Sequence, residues 1–186
     1  MEPLPEGTTG YGVTLRVWTA DDAPVLHDAI GANVEHLRPW MAWIAHEPLT
    51  VEQRRLLIEQ WNETWAAGGD VIYGVWQDGV IVGGTGLHRR LGPSGLEIGY
   101  WVDVDHLGRG IATAAARAIT DLAFTVEGTE VVEIHHDVAN HASRRVPEKL
   151  GFVDAGTVVP RRELSAPAET GLDRIWRTTR ETWPRG

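Results

Sequence analysis

Cysteine is absent from the 186-residue chain, so the protein has neither a disulfide framework nor a thiol nucleophile of its own. Lysine is nearly absent: of 17 basic residues only Lys149 is not arginine, a bias that reads as base composition of the gene rather than as chemistry. No apolar run approaches the roughly twenty residues that a membrane-spanning helix needs. The opening MEPLPEGTTG lacks the basic and apolar pattern of a secretory leader. Positive charge is also short, with a formal net charge of −9, which argues against the basic patch of a nucleic-acid surface. The same excess of acid suits the steering of a cationic substrate such as an amine, and suits solubility equally well. The expectation is one cytoplasmic domain over residues 1–186, with 1–12 a Pro- and Gly-rich lead-in that has little to pack.

What is there centres on the stretch Leu96 to Val126. Leu96 to Val102 is apolar and aromatic around Gly99, which predicts a buried strand with a bulge or a close backbone approach. Asp103, Asp105 and His106 break the run, and Gly108-Arg109-Gly110 turns the chain. From Ile111 the residues Ala115, Ala118, Ile119 and Leu122 recur on one side, which predicts a helix. A helix N-terminus offers N–H groups without partners and a positive dipole end. Glycines at 108 and 110 remove the Cβ atoms that hold a phosphate off the backbone, and Arg109 adds a cation. The ligand this predicts is a phosphate or pyrophosphate. A P-loop is excluded because no Lys follows Gly110, and a dinucleotide fingerprint misses its third glycine at Thr113. A plain strand-to-helix turn is the ordinary alternative.

The remaining chain reads as alternating elements. Val13 to Trp18 alternates as a strand, and Thr19 or Asp21 caps a helix with Pro24 in its first turn. Thr50 and Gln53 form a capping box for an amphipathic helix to Ala67, with Leu57, Ile58, Trp61 and Trp65 on its apolar face. Strands Val71–Trp76 and Val80–Leu87 flank an Asp78-Gly79 hairpin, and Gly83, Gly84 and Gly86 interrupt the second. Val131 to Val138 is another strand. Its neighbours His135 and His136 point to opposite faces, so they cannot both reach one ion, and no metal site is expected. Ser143–Leu150 reads as a short helix ended by Gly151, followed by strands over 152–158 and 172–179. Trp18, Trp76, Trp176 and Trp183 suit either a core or a homodimer surface.

Leu107-Gly108-Arg109-Gly110-Ile111-Ala112 resembles the acyl-CoA pyrophosphate loop of the GNAT N-acetyltransferases, [QR]-x-x-G-x-[GA], with Leu107 in place of Gln or Arg. The segment Asn140 to Phe152, with Ser143 and Glu148-Lys149-Leu150-Gly151-Phe152, resembles the late N-x-x-[AS]…EKLGF segment of the same superfamily. Their order and separation match as well. The resemblance is strongest to the RimJ/RimL-type ribosomal-protein N-terminal acetyltransferases and covers about residues 12 to 180. It implies an α/β (α+β) fold, with a central mixed, mostly antiparallel sheet of six to seven strands, about four helices, and a splay at the central strand.

The resemblance also implies a site. Pantetheine pairs with the backbone of Trp101, Val102, Asp103 and Val104, and a backbone N–H there polarises the thioester carbonyl. Leu107, Gly108, Arg109, Gly110, Ile111, Ala112 and Thr113 hold the pyrophosphate. Asn140 hydrogen-bonds the pantetheine chain. Pro147 stands where many relatives carry a Tyr acid, which makes Ser143 the proton donor to the thiolate by elimination. The ordinary alternative for Ser143 is a helix N-cap. Glu97 is the expected base, with His36, His88 and Glu163 behind it. Trp40, Trp43 and His36, between the first two helices, are expected on the acceptor wall. The reading is an acetyl-CoA-dependent N-acetyltransferase acting on a primary amine, either a protein N-terminus or a small molecule. The alternative is a non-catalytic acyl-CoA-binding sensor.

Overall fold

A computed structural model describes residues 2–160 and 165–184. Eight strands form one sheet in the order β1-β2-β3-β4-β5-β6-β8-β7. They are β1 (Gly7–Gly10), β2 (Val13–Val17), β3 (Val71–Gln77), β4 (Val80–His88), β5 (Gly95–Val102), β6 (Val131–Asp137), β7 (Val153–Val158) and β8 (Asp173–Thr179). The helices are α1 (Ala23–Leu37), α2 (Val51–Ala66), α3 (Ile111–Ala123) and α4 (His141–Leu150). Every pairing is antiparallel except β5 with β6.

The lead-in does more than expected. Leu4 is buried in the core, Trp65 Nε1 donates to its carbonyl at 2.6 Å, and β1 supplies the strand beyond the six or seven anticipated. The last strand pairs with its predecessor and also inserts between β6 and β7.

Two apolar clusters sandwich the sheet. Ala115, Ala118, Ile119 and Leu122 of α3 pack on Ile98, Val132 and Ile134 on one face. Leu26 and Ile30 of α1, with Ile58 of α2 and Trp18, fill the other. Trp18, Trp176 and Trp183 are buried, and Trp76 packs against Trp18 at 5.6 Å between ring centroids, so these residues belong to the interior and carry no argument for a dimer surface.

The feature that positions the site lies between the parallel pair. β5 keeps its partner β4 from Glu97 to Val102, whereas its pairing with β6 ends at Ile98–Ile134. Beyond that point β6 continues beside β8 alone, and the sheet opens along one edge of Gly99–Val102. This is the expected splay.

Candidate active site

The glycine loop joins the short helical turn over Val104–His106 to α3. Gly108 and Gly110 have φ of 73° and 82°, the left-handed region in which a Cβ is strained. Gly110 is the N-cap of α3 and offers no side-chain cap. Its carbonyl accepts the first helical bond from Ala114, and the N–H groups of Ile111, Ala112 and Thr113 have no partner within the helix. Leu107, Gly108, Arg109 and Gly110 are all exposed, so the loop is open to an anion from solvent.

A buried amide that sequence reasoning missed secures this loop. Asn33 of α1 is fully buried, donates to Asp103 at 2.6 Å and to the Ala29 carbonyl, and accepts the Val104 N–H at 2.7 Å. The Asp103 N–H donates to Val82 O. The N–H groups of Asp103 and Val104, both expected beside pantetheine, are thus used within the protein. Trp101 and Val102 remain on the open edge of β5. Burial opposes the Asp103 charge, yet hydrogen bonds from His106, Asn33 and the Asp105 amide hold its carboxyl below the usual range.

Beside the splay lies a cavity of about 870 Å³. Glycine makes its floor. Gly84, Gly86 and Gly99 lie on one face of β4 and β5, and Gly86 faces Gly99 across the ladder. A Cβ at Gly84 would fall 2.3 Å from the Trp101 indole nitrogen, and one at Gly86 3.0 Å from Ile72. Trp40, Trp43 and Trp61 also line this cavity. Arg54 of α2 and Glu47, buried and 2.6 Å apart, fasten the segment before α2 to the helix. His36 sits on α1 and is not among the lining residues.

Asn140 and Ser143 meet at the splay end of the cavity. The N-cap of α4 is Asn140, whose Oδ1 accepts the Ser143 N–H at 3.0 Å, and the helix begins at His141 rather than Ser143. The Asn140 amide nitrogen takes no partner among the described residues, and Ser143 is relieved of the capping role. Its Oγ lies 3.2 Å from the hydroxyl of Tyr100, which also donates to the Ser143 carbonyl at 3.2 Å. Tyr100 thus brings a phenol from β5 to Ser143, while Pro147 leaves α4 without one. Burial pushes its pKa well up, against the pull of Ser143, so it stays a proton-bearing group. Strand alternation faces Tyr100 away from Gly99, but nothing local says that α4 returns above it.

Glu97 does not line the cavity. Arg90 donates to its Oε1 at 3.0 Å, and His135 Nδ1 stands 3.8 Å from Oε2. His135 in turn bonds Glu133 at 2.6 Å. Burial opposes the His135 charge, but Glu133 and Glu97 prevail and raise its pKa. His136 donates from Nδ1 to the Asp137 carbonyl and accepts the Trp176 indole N–H at Nε2, and burial holds it neutral. The two histidines thus have separate partners, and no group of three or more His, Asp or Glu among the described residues is placed to hold a metal. Glu163 lies outside the described residues.

Comparison with known proteins agrees with this geometry. Residues 13–153 match the acetyltransferase (GNAT) domain. The chain is 31% identical over 145 residues, 77% of its own length and 79% of the relative's, to the "Putative ribosomal N-acetyltransferase YdaF" of Bacillus subtilis (strain 168). Among solved structures, one of a probable acetyltransferase is 28% identical with a TM-score of 0.84, covering 95% of this chain and 98% of that one. RimJ of Mycobacterium smegmatis, solved in complex with CoA-disulfide, is 25% identical with a TM-score of 0.83, covering 100% and 93%. No helix among the described residues is long and apolar enough to cross a membrane. A domain match over most of the chain, a relative aligned over most of its length and the glycine loop beside a splayed sheet converge: the chain belongs to the GNAT acetyltransferase family, as an acetyl-CoA-dependent N-acetyltransferase rather than a non-catalytic binder.

Proposed function

We propose that the acceptor is the free α-amino end of a polypeptide, acetylated by direct attack on the thioester in a ternary complex. The observation that carries this reading is the cavity of about 870 Å³ lined by Asn140, Ser143, Trp40 and Trp61 together. Pockets that enclose a whole small ligand span about 300–1,000 Å³. This volume suits the thioester end of the donor together with the first residues of a chain. The ribosomal N-acetyltransferase name of the 31% identical relative supports the same acceptor.

In this reading Gly108, Arg109, Gly110 and the N–H groups of Ile111, Ala112 and Thr113 take the pyrophosphate. Trp101 and Val102 offer open-edge backbone to pantetheine, and the Asn140 amide donates to it. Ser143 and Tyr100 lie where the departing thiolate needs a proton. A second reading, a small apolar amine, is favoured by the tryptophan wall, since Trp40, Trp43 and Trp61 can enclose an apolar stem.

Calorimetric titration with acetyl-CoA tests the donor site, repeated with Gly110→Glu, whose bulk and charge fall at the head of α3. Micromolar binding by the parent and at least about tenfold weaker binding by a variant with a parent-like circular dichroism spectrum is the expected result. Thiol release is then followed with hexapeptides bearing a free or an N-acetylated terminus, and with 2-phenylethylamine. Turnover of free-ended peptides alone supports the proposal, and turnover of the small amine alone replaces it with the second reading.

A further inference from the structure

An α-amine with a pKa near 8 arrives at neutral pH mostly as ammonium, and its nitrogen has no lone pair until a proton leaves. Four histidines line the cavity: His46, His88, His135 and His136. Both nitrogens of His136 are hydrogen-bonded, and His135 is held between Glu133 and Glu97 in a setting that favours imidazolium. His46 ends the short helical turn Ala42–His46 and is exposed, with no carboxylate bonded to its ring among the described residues. His88 is different.

His88 closes β4 and is mostly buried, with 13% of its side chain exposed. Its Nδ1 lies 2.8 Å from Asp70 Oδ2, and the other Asp70 oxygen accepts the Arg89 N–H at 2.8 Å, which fixes the carboxylate in turn. Burial works against the Asp70 charge, but His88 and the Arg89 amide hold its pKa below the ordinary range, so it accepts from Nδ1–H. In the neutral ring the lone pair then sits on Nε2. That nitrogen takes no hydrogen bond among the described residues. It lies 3.6 Å from where a Cβ on Gly99 would be and 3.0 Å from one on Gly86, over the glycine floor at the first residue of β5 beyond its pairing with β6.

The charged surroundings are mixed. Arg90 approaches Asp70 at 4.0 Å and pairs with Glu97, which is the register partner of His88 on β5. His135 and Asp137 face the cavity from β6, Asp173 from β8 and Glu169 from the loop before it. The Arg54–Glu47 pair and His46 close the far wall. Glu97 is the competing base, but Arg90 binds one of its oxygens and it is absent from the cavity lining.

We propose that His88 Nε2, oriented by Asp70, is the base that takes the proton from the acceptor ammonium. The freed lone pair attacks the thioester carbonyl carbon and a C–N bond forms; the C–S bond then breaks, the thiolate takes a proton from the Ser143–Tyr100 side, and the second N–H proton of the attacking nitrogen leaves through solvent and restores that pair, giving the neutral amide and the free thiol. His88 returns its proton to solvent. Asp70 is a positioning residue and touches no reacting atom. The assignment holds for a peptide or a small amine alike, because either brings the same ammonium proton.

The experiment has two arms, both on the full chain. In the first, pH profiles of kcat/KM are recorded for parent, His88→Gln, His88→Asn, Asp70→Asn and Glu97→Gln, using a free-ended hexapeptide and 2-phenylethylamine as probes. General-base loss typically costs 10²–10⁴-fold, so kcat in both His88 variants should fall by about 100-fold or more. The acetyl-CoA KM should stay within about twofold and the acidic limb should vanish. Asp70→Asn should displace that limb and lower kcat by roughly tenfold. His88 variants that keep the parent profile and rate within about threefold would overturn the proposal, as would loss of the limb in Glu97→Gln alone. In the second arm, nitrogen NMR of the imidazoles in the CoA-saturated protein should show the neutral His88 ring carrying its proton on Nδ1 and its lone pair on Nε2. The opposite tautomer overturns the assignment whatever the acceptor proves to be. Refusal of the peptide with acetylation of phenylethylamine would sink the N-terminal acceptor and leave the His88 result standing.

Discussion

Asp22 accepts four hydrogen bonds, two from the Arg16 guanidinium at 2.7 and 2.8 Å and two from Thr19. Arg16 is the leading cause that lowers its pKa to about 2, against burial and with help from Thr19. Its stabilising contribution is therefore complete above the unfolded value near 3.9 and is lost as pH falls toward the folded value. Arg16 is 39% exposed, so the nominal shift is discounted for solvent screening to about 1 kcal/mol. Asp22→Asn should lower urea stability by that amount at pH 7, with about half the gap remaining at pH 3. Single residues were legible in the sequence to different degrees. Asn140 and Ser143 could be picked out by type and spacing, but which of them caps α4 depends on where the helix begins. Asn33, Tyr100 and Asp70 carried no local signal, because their partners lie on other elements: Val104 and Asp103, Ser143, and His88.

Strand β4 meets β5 through paired glycines, and the two sides of that floor respond differently to a methyl group. At Gly84 the added carbon falls 2.3 Å from the Trp101 ring nitrogen, whereas at Gly99 it meets only His88 at 3.6 Å. Gly84→Ala should therefore cost about 1–3 kcal/mol through overpacking, read as a lowered melting temperature. Gly99→Ala should melt within a few degrees of the parent and show its effect in a raised acceptor KM. Elements with their own punctuation were readable in advance. The Asp78-Gly79 turn and the Thr50–Gln53 capping box both form. β1 escaped notice because GTTG has no apolar alternation, and its place depends on the buried Leu4 and on pairing with β2. The insertion of β8 between β6 and β7 was equally hidden, since a strand's sequence states its faces but not its neighbours.

Across the whole molecule the net charge of −9 sets a long-range field that draws cationic acceptors. Screening lengths shrink from about 20–30 Å to less than 10 Å as salt rises from roughly 0.02 to 0.3 M. The KM of a lysine-rich peptide should climb severalfold over that range, while that of an uncharged-side-chain peptide should stay nearly flat, as initial rates would record. The splay has a different kind of consequence. Strand edges at the rim of a protein are exposed to association with other chains. Here an open edge lies in the middle of the sheet, where only something as slender as an extended chain fits. Five strands stand on one side of it and three on the other. Whatever fills that seam acts as a rivet between two half-sheets. A ligand held at a hundredfold excess over its dissociation constant adds about 2.7 kcal/mol to a fold. The metabolic supply of donor would then help to set how long each copy of the protein survives in the cell.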